Sequence, residues 1–349
     1  MAEESLIQVN HVKLDFHTYA GEVKVLDDVT FEVRKGEALG LVGESGCGKS
    51  VTALSIDGLL PENASVTNGE IIFAGKNLLT IKKEEMRKIR ASQIAMVFQD
   101  PTTFLNPVLT IGEQIEEVFL LNPEHLAAVA SRDDESENKT ISNLSKQQQK
   151  RIAKRLSIDV LKQVRLGDQD RILKQYPHEL SGGMRQRCMI AMALARNPDL
   201  LIADEITTAL DVTIQAQILE LLRDLKRDFR GSTLLITHDL GIVAELCDRV
   251  AVMYAGNIVE LADVGDLFAN PLHPYTKGLM KAIPMLDRRM NRLETIQGAV
   301  PDLINPPSGC RFHPRCSFAL EKCKSVKPEL LHVSNSHTVA CHLYDEGKP

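Results

Sequence analysis

No run in this sequence approaches the roughly 18 uninterrupted apolar residues that a membrane-spanning helix needs, so any tie to a membrane is expected to pass through a partner. The opening residues, Met1-Ala2-Glu3-Glu4-Ser5, are acidic and lack the basic-then-apolar pattern of a secretory signal, which predicts a chain that stays in the cytoplasm. Basic residues are not in excess. The 41 Lys and Arg against 47 Asp and Glu leave a formal charge of −6, and no basic stripe marks a nucleic-acid footprint. Seven cysteines in 349 residues are too few for a disulfide scaffold, although four of them fall in the last 40 positions. Internal repeats and sustained heptads are also missing.

What is present fits one large α/β domain with a smaller appended unit, since 44 % of the residues are hydrophobic over a chain long enough for two cores. Residues 6–16 and 25–33 alternate apolar and polar side chains, and 70–74 form a third short run between Gly69 and Gly75, together an antiparallel β-layer. Residues 38–42 are apolar without alternation and lead through a Gly-rich loop into a helical stretch from 49 to about 59, which reads as a buried parallel strand, a loop and a helix. Similar short runs at 94–98, 200–203 and 233–237 each deliver polar residues at their C-terminal end, the edge where open α/β sheets bind ligands. Residues 212–227 place Ile214, Ile218, Leu221, Leu222 and Leu225 at helical spacing. The span from about 109 to 194 is helical in character, with a polar tract at 131–150 expected to be a mobile loop flowing into a charged helix. Beyond 261 the sheet pattern stops, and Pro271, Pro274, Pro284, Pro301, Pro306 and Pro307 punctuate an accessory region.

The Gly-rich loop, Gly43-Glu44-Ser45-Gly46-Cys47-Gly48-Lys49-Ser50, fits G-x-x-x-x-G-K-[ST] at every fixed position, with the expected strand before it and helix after it, and together with Val51 it is expected to bind the nucleotide. Glycines there let the backbone curl so that N–H groups point at phosphate oxygens, and the new helix turns its positive end toward the same charge. Lys49 is expected to reach the β- and γ-phosphates and Ser50 to ligate Mg²⁺, while Cys47 contributes only backbone. Leu200-Leu201-Ile202-Ala203-Asp204-Glu205 is an apolar strand ending in two carboxylates, by itself a weak signal. Asp204 suits the Mg²⁺ sphere and Glu205 suits polarising an attacking water.

About 130 residues after the phosphate loop stands Leu180-Ser181-Gly182-Gly183-Met184-Arg185-Gln186-Arg187. This stretch resembles the signature loop of ABC ATPases, and with Gln99, the Asp204-Glu205 pair, Ala209-Leu210-Asp211 and His238 it gives that family's motifs in that family's order. The resemblance implies a P-loop NTPase core with an antiparallel β-layer, an ABC helical subdomain at about 101–190 within an ATPase domain of 1–265, and a small Cys-rich extension over 266–349. It implies Gln99 as the Q-loop residue that senses Mg²⁺, His238 as the switch histidine on the γ-phosphate, Asp211 in the D-loop, and Phe16 or Tyr19 as the ring under adenine, with Phe16 preferred. It also implies a head-to-tail pair of ATPase domains in which Leu180, Ser181, Gly182, Gly183 and Met184 act in trans on a partner's ATP. Ile206 departs from the family's usual Pro, removing a fixed φ and adding an N–H and a β-branched side chain beside Glu205.

His273-Pro274-Tyr275-Thr276 and Gly309-Cys310-Arg311-Phe312-His313-Pro314-Arg315-Cys316 resemble the tail of oligopeptide and dipeptide importer ATPases. That branch implies ATP-driven uptake of di- or oligopeptides, with two non-identical ATPase subunits, two membrane permeases and an external solute-binding protein, this chain lying peripherally at the cytoplasmic face of the cell membrane. The alternatives are import of nickel or another small solute, or an ABC ATPase without a transporter. Cys310, Cys316, Cys323 and Cys341, separated by five, six and seventeen residues, leave a four-thiolate metal site or unrelated cysteines as options in a reducing compartment. The resemblance points to a structural [4Fe–4S] cluster. A mixed zinc site using His313, His332, His337 or His342 stays open beside it.

Overall fold

The structure, a computed structural model, describes residues 4–122, 126, 127, 129, 145–208, 211–282, 296–334 and 336–345. In chain order the elements that matter here are β1 (Ser5–Thr18), β2 (Gly21–Arg34), β3 (Ala38–Val42), α1 (Lys49–Asp57), β4 (Ala64–Phe73), β5 (Lys76–Asn77), α2 (Lys83–Ser92), β6 (Ile94–Val97), α3 (Ile111–Leu120), α4 (Lys146–Gln163), α5 (Gly182–Leu194), β7 (Leu200–Asp204), α6 (Val212–Asp228), β8 (Ser232–Thr237), α7 (Leu240–Leu246), β9 (Arg249–Tyr254), β10 (Asn257–Asp263), α8 (Val264–Ala269), α9 (Pro274–Lys281), β11 (Leu331–His332) and β12 (His337–Val339). They fall into two compact units, one of residues Met1–Ile81 with Ser232–Pro349 and one of Lys82–Gly231.

The first unit holds the antiparallel layer, ordered β2-β1-β4-β5. Its second sheet runs β11-β12-β10-β9-β3-β8, with β3 parallel to both β8 and β9, Gly40 opposite Leu235 on one side and Val250 on the other. All five residues of β3 are buried, which is why its sequence shows no alternation: both faces of a central parallel strand are covered. In the second unit β6 and β7 pair in parallel, Ile94 opposite Leu200 and Val97 opposite Ala203, and β7 is likewise buried throughout.

Helix starts follow their caps. Ser145 with Gln148 and Thr110 with Glu113 form capping boxes ahead of α4 and α3, satisfying N–H groups that the first turn leaves orphaned. The charged helix expected after the polar tract is therefore α4, while 131–144 lie outside the described residues. Among the described residues no helix is long and apolar enough to cross a membrane.

The sheet does not stop at 261, as the sequence pattern suggested. β9 and β10 form a hairpin through Ala255 and Gly256, both at positive φ, and the tail returns to add β12 against β10, with Glu260 opposite Val339. What fixes that return is Glu260, fully buried, whose carboxylate accepts from Leu272 N at 2.7 Å and His273 N at 2.8 Å and meets His337 Nε2 at 2.7 Å. His273 in turn accepts from Tyr275 N through Nδ1 at 3.0 Å, and burial pushes its pKa down to about 4, keeping the ring neutral. Removing the carboxylate strands two backbone donors and a histidine at once. Glu260→Ala is expected to cost about 3 kcal/mol of stability, read from the urea midpoint. A loss under about 1 kcal/mol would show that the cluster does not hold the return.

Candidate nucleotide site

The phosphate-loop motif leaves the end of β3 and turns sharply into α1. A Cβ on Gly43 would lie 2.1 Å from the Met253 carbonyl oxygen, so no side chain fits where the loop passes the end of β9. Gly46 and Gly48 take φ of 78° and 110°, conformations that glycine alone adopts without strain, and Gly48 caps α1. Lys49 folds back under the loop, its ammonium donating to Gly43 O at 2.7 Å and Glu44 O at 3.1 Å. Ser45, Gly46 and Ser50 are exposed, and nothing lies within 4 Å of the Gly46 Cβ position, so the rim is open to an anion. Cys47 is buried and its thiol is pushed up by that burial, away from nucleophile chemistry.

Two contacts on this loop were not foreseen. Glu44 N–H donates to Tyr275 Oη at 2.9 Å, and the Glu44 carboxylate takes Arg315 in two bonds, at 2.7 and 3.1 Å. Both partners come from the stretches that carry the peptide-importer resemblance. His238 stands exposed just after β8, followed by Asp239, which caps α7. Phe16 is half-buried on β1, paired in register with Val23 on one side and Ala64 on the other, whereas Tyr19 is fully exposed at the hairpin tip.

In the second unit, Asp204 is buried at the end of β7 and Glu205 follows at φ 45°, a left-handed conformation costly for a residue with a Cβ. That turn aims the Glu205 carboxylate at Gln99 Nε2, 3.1 Å away, and at Thr208 Oγ1, also 3.1 Å away. Thr208 was missed by sequence reasoning, because a threonine three residues past a carboxylate has no pattern of its own. Ile206 is buried at 3 % exposure, so the departure from Pro has a packed side chain behind it.

Ser181 caps α5, its hydroxyl accepting from Met184 N at 3.3 Å. Gly182 faces open space, but a Cβ on Gly183 would lie 2.6 Å from Ile214 Cγ2 on α6. Asp211 caps α6 through Ile214 N at 2.9 Å, while Ala209 and Leu210 lie outside the described residues.

The iron–sulfur expectation fails. Among the described residues no group of three or more His, Cys, Asp or Glu could hold a metal ion, and Cys310, Cys316, Cys323 and Cys341 are free thiols. Burial pushes Cys310 and Cys341 up to about 11 and raises Cys316 too. The zinc alternative falls on the same ground, no metal-holding group being found among the described residues; of the nearby histidines, His313 bonds Cys310 O, His337 bonds Glu260, and His342 uses both ring nitrogens, on Asp345 and Val326 O. The tail is held instead by backbone pairing, such as Cys310 N–H to Cys323 O at 2.8 Å, and by Arg311, which donates to Lys24 O and Ala255 O.

Compared with known proteins, residues 26–208 match the family described as ABC transporter. The chain is 47 % identical to the oligopeptide transport ATP-binding protein AppD of Bacillus subtilis over 98 % of both chains. It belongs to the ABC transporter family. Residues 259–323 of this ABC ATPase match the family described as oligopeptide/dipeptide transporter, C-terminal region. A second relative, the dipeptide transport ATP-binding protein DppD of Lactococcus lactis, is 45 % identical over 100 % of this chain and 94 % of its own. Among solved structures, the post-hydrolysis dimer of the ATP-binding cassette MJ0796 bound to ADP and Pi superposes with a TM-score of 0.59 at 25 % identity, covering 74 % of this chain and 98 % of that one.

The contact between α5 and α6 yields a test. Gly183→Ala in this ABC ATPase should lower stability by about 1–3 kcal/mol through overpacking on Ile214. Most of that cost should vanish in an Ile214→Ala background, read from thermal melts of all four variants. An equal cost in both backgrounds would place the constraint on Gly183 elsewhere.

Proposed function

We propose that this chain binds and hydrolyses ATP at the cytoplasmic face of the cell membrane to drive import of di- or oligopeptides. The observation that carries the reading is the pairing of an ABC core at 26–208 with a peptide-transporter C-terminal region at 259–323 in one chain. The partners this reading requires are a homologous, non-identical second ATPase subunit, two permeases that cross the membrane, and an external solute-binding protein.

Roles follow from the chemistry of each side chain. Backbone N–H groups of 43–51 would cradle the phosphates, with the Lys49 ammonium leaving its loop carbonyls for the β- and γ-oxygens. Phe16, locked in register on both sides, is the better-anchored platform for adenine; an exposed Tyr19 would lose more freedom on stacking. Ser50, with Gln99 and Asp204, would hold Mg²⁺, whose charge offsets that of the phosphates. Glu205, oriented by Gln99 and Thr208, would polarise the attacking water, and His238 would contact the γ-phosphate. Leu180, Ser181, Gly182, Gly183 and Met184 would act on the partner's ATP, with the Ser181 hydroxyl and the α5 N-terminus as donors, and Asp211 would order the neighbouring turn.

Two substitutions separate these roles. Glu205→Gln should keep ATP binding and lower turnover by about a hundredfold or more, because it spares phosphate contacts and removes the base. Lys49→Ala should weaken binding itself. Undiminished hydrolysis in Glu205→Gln would refute the assignment. For the substrate, ATPase activity of the assembled transporter in vesicles should rise with peptide-loaded binding protein. Stimulation by nickel and not by peptide would replace the substrate class.

A further inference from the structure

The phosphate loop of this chain contains a carboxylate beside the place where a triphosphate would lie. Left alone, Glu44 would repel ATP. The structure pairs it fork to fork with Arg315, Nη1 to Oε2 at 2.7 Å and Nη2 to Oε1 at 3.1 Å, in the strongest geometry a guanidinium and a carboxylate can adopt. The remaining donors of Arg315 are used too: Nε on Gln297 O at 3.0 Å, Nη2 on Ile296 O at 3.3 Å, and Nη1 on Tyr254 Oη at 3.4 Å, with the guanidinium 5.7 Å above the Tyr254 ring. Arg315 is thereby fixed before any nucleotide arrives. Its side chain is only 6 % exposed, and the bond to Glu44 raises its pKa further, so its charge is permanent.

A second tail residue acts on the same position. Tyr275 is fully buried, and its hydroxyl receives the Glu44 N–H. Tyr275 packs against Tyr254 at 4.6 Å and Phe312 at 5.5 Å between ring centroids, and Tyr254 meets Phe312 edge-on at 5.0 Å. The Gly256 N–H, one residue past the Ala255 carbonyl that Arg311 grips, donates to Cys47 O at 2.8 Å. Thus Glu44 is held at both its backbone and its side chain by residues more than 200 positions away in sequence.

We propose that Arg315 is a positioning residue for nucleotide binding: it cancels the Glu44 charge and, with Tyr275, fixes the first turn of the phosphate loop, so that the C-terminal region sets the affinity for ATP. The inference rests on the reading of residues 43–51 as the ATP site. Its physical content is electrostatic. With Arg315 absent, the Glu44 carboxylate would be released from its fork to turn toward the phosphates, a like-charge penalty that salt screens; in a Glu44→Gln background no carboxylate remains to be released, and only the weaker direct attraction of the Arg315 charge is lost.

The test is a double-mutant cycle on the full-length chain in its transporter assembly, with Mg-ATP as the titrant, using Arg315→Ala, Glu44→Gln and both together. Arg315→Ala is expected to raise the Kd and KM for ATP by about fivefold or more at low salt, with a smaller effect at high salt and kcat at saturation largely kept. In the Glu44→Gln background the same substitution should shift Kd by less than about twofold. Arg315→Lys, which keeps the charge but not the fork, should fall between wild type and Arg315→Ala. An equal penalty in both backgrounds would show that Arg315 acts as a remote charge or a structural anchor and not through Glu44, which overturns the proposal, as would no penalty in either. If Arg315→Ala melts below the assay temperature, Arg315→Gln runs the same cycle with the same two readings. Lys49→Ala serves as the independent control: if it left ATP binding intact, the ATP-site reading itself would fall, whatever Arg315 does.

Discussion

The carbonyl oxygen of Met253 occupies the place where any side chain at position 43 would have to go. From that steric fact the rest of the first unit can be followed. The loop must pass the end of β9 as bare backbone, which lets β3 lie directly between β8 and β9 and lets α1 start after a loop of six residues, 43–48. The hairpin after β9 then turns at Ala255 and Gly256, whose backbone groups bond Arg311 and Cys47. A buried strand, a glycine without room for a methyl group and a backbone donor from the next turn together define the cradle before any ligand contributes.

The C-terminal stretch is a working part of that unit rather than an attachment to it. Glu260 gathers Leu272, His273 and His337; Arg311 crosses to Lys24 and Ala255; Lys327 reaches Asp27 O at 2.6 Å and makes an ion pair with Asp27 at 3.0 Å. Phe312 fills the space among Tyr254, Tyr275 and His273. A region poor in regular structure is thus ordered by buried charge pairing and aromatic packing.

What could be read in the sequence was whatever depends on local order. The fixed letters of 43–50, the unalternating runs at 38–42 and 200–203, and the Ser-Gly-Gly that caps and opens α5 are local statements, and each element stands within a residue or two of its expected place. β9 escaped because the continuous apolar run at 250–254 has no period that separates strand from helix. Tyr275 and Arg315 were visible as family residues without a task, since their task is defined by where the chain returns 231 and 271 positions later. The cysteines misled for the same reason in reverse. Spacing along a chain does not by itself make a ligand set, and among the described residues no group that could hold a metal ion is found.

The pairing of β12 with β10 has a further meaning. β10 would otherwise end the sheet with a row of open N–H and C=O groups on an apolar, buried strand, the kind of edge that recruits strands from other molecules. His337–Val339 covers that row, and Leu331–His332 covers the next with only two residues, flanked by Pro328 and a Ser334 turn that offer little for a stranger to extend. Residues 331–339 therefore seal the edge at which copies of the protein would otherwise adhere to one another, and they are made only after β10, the strand they cover, has emerged.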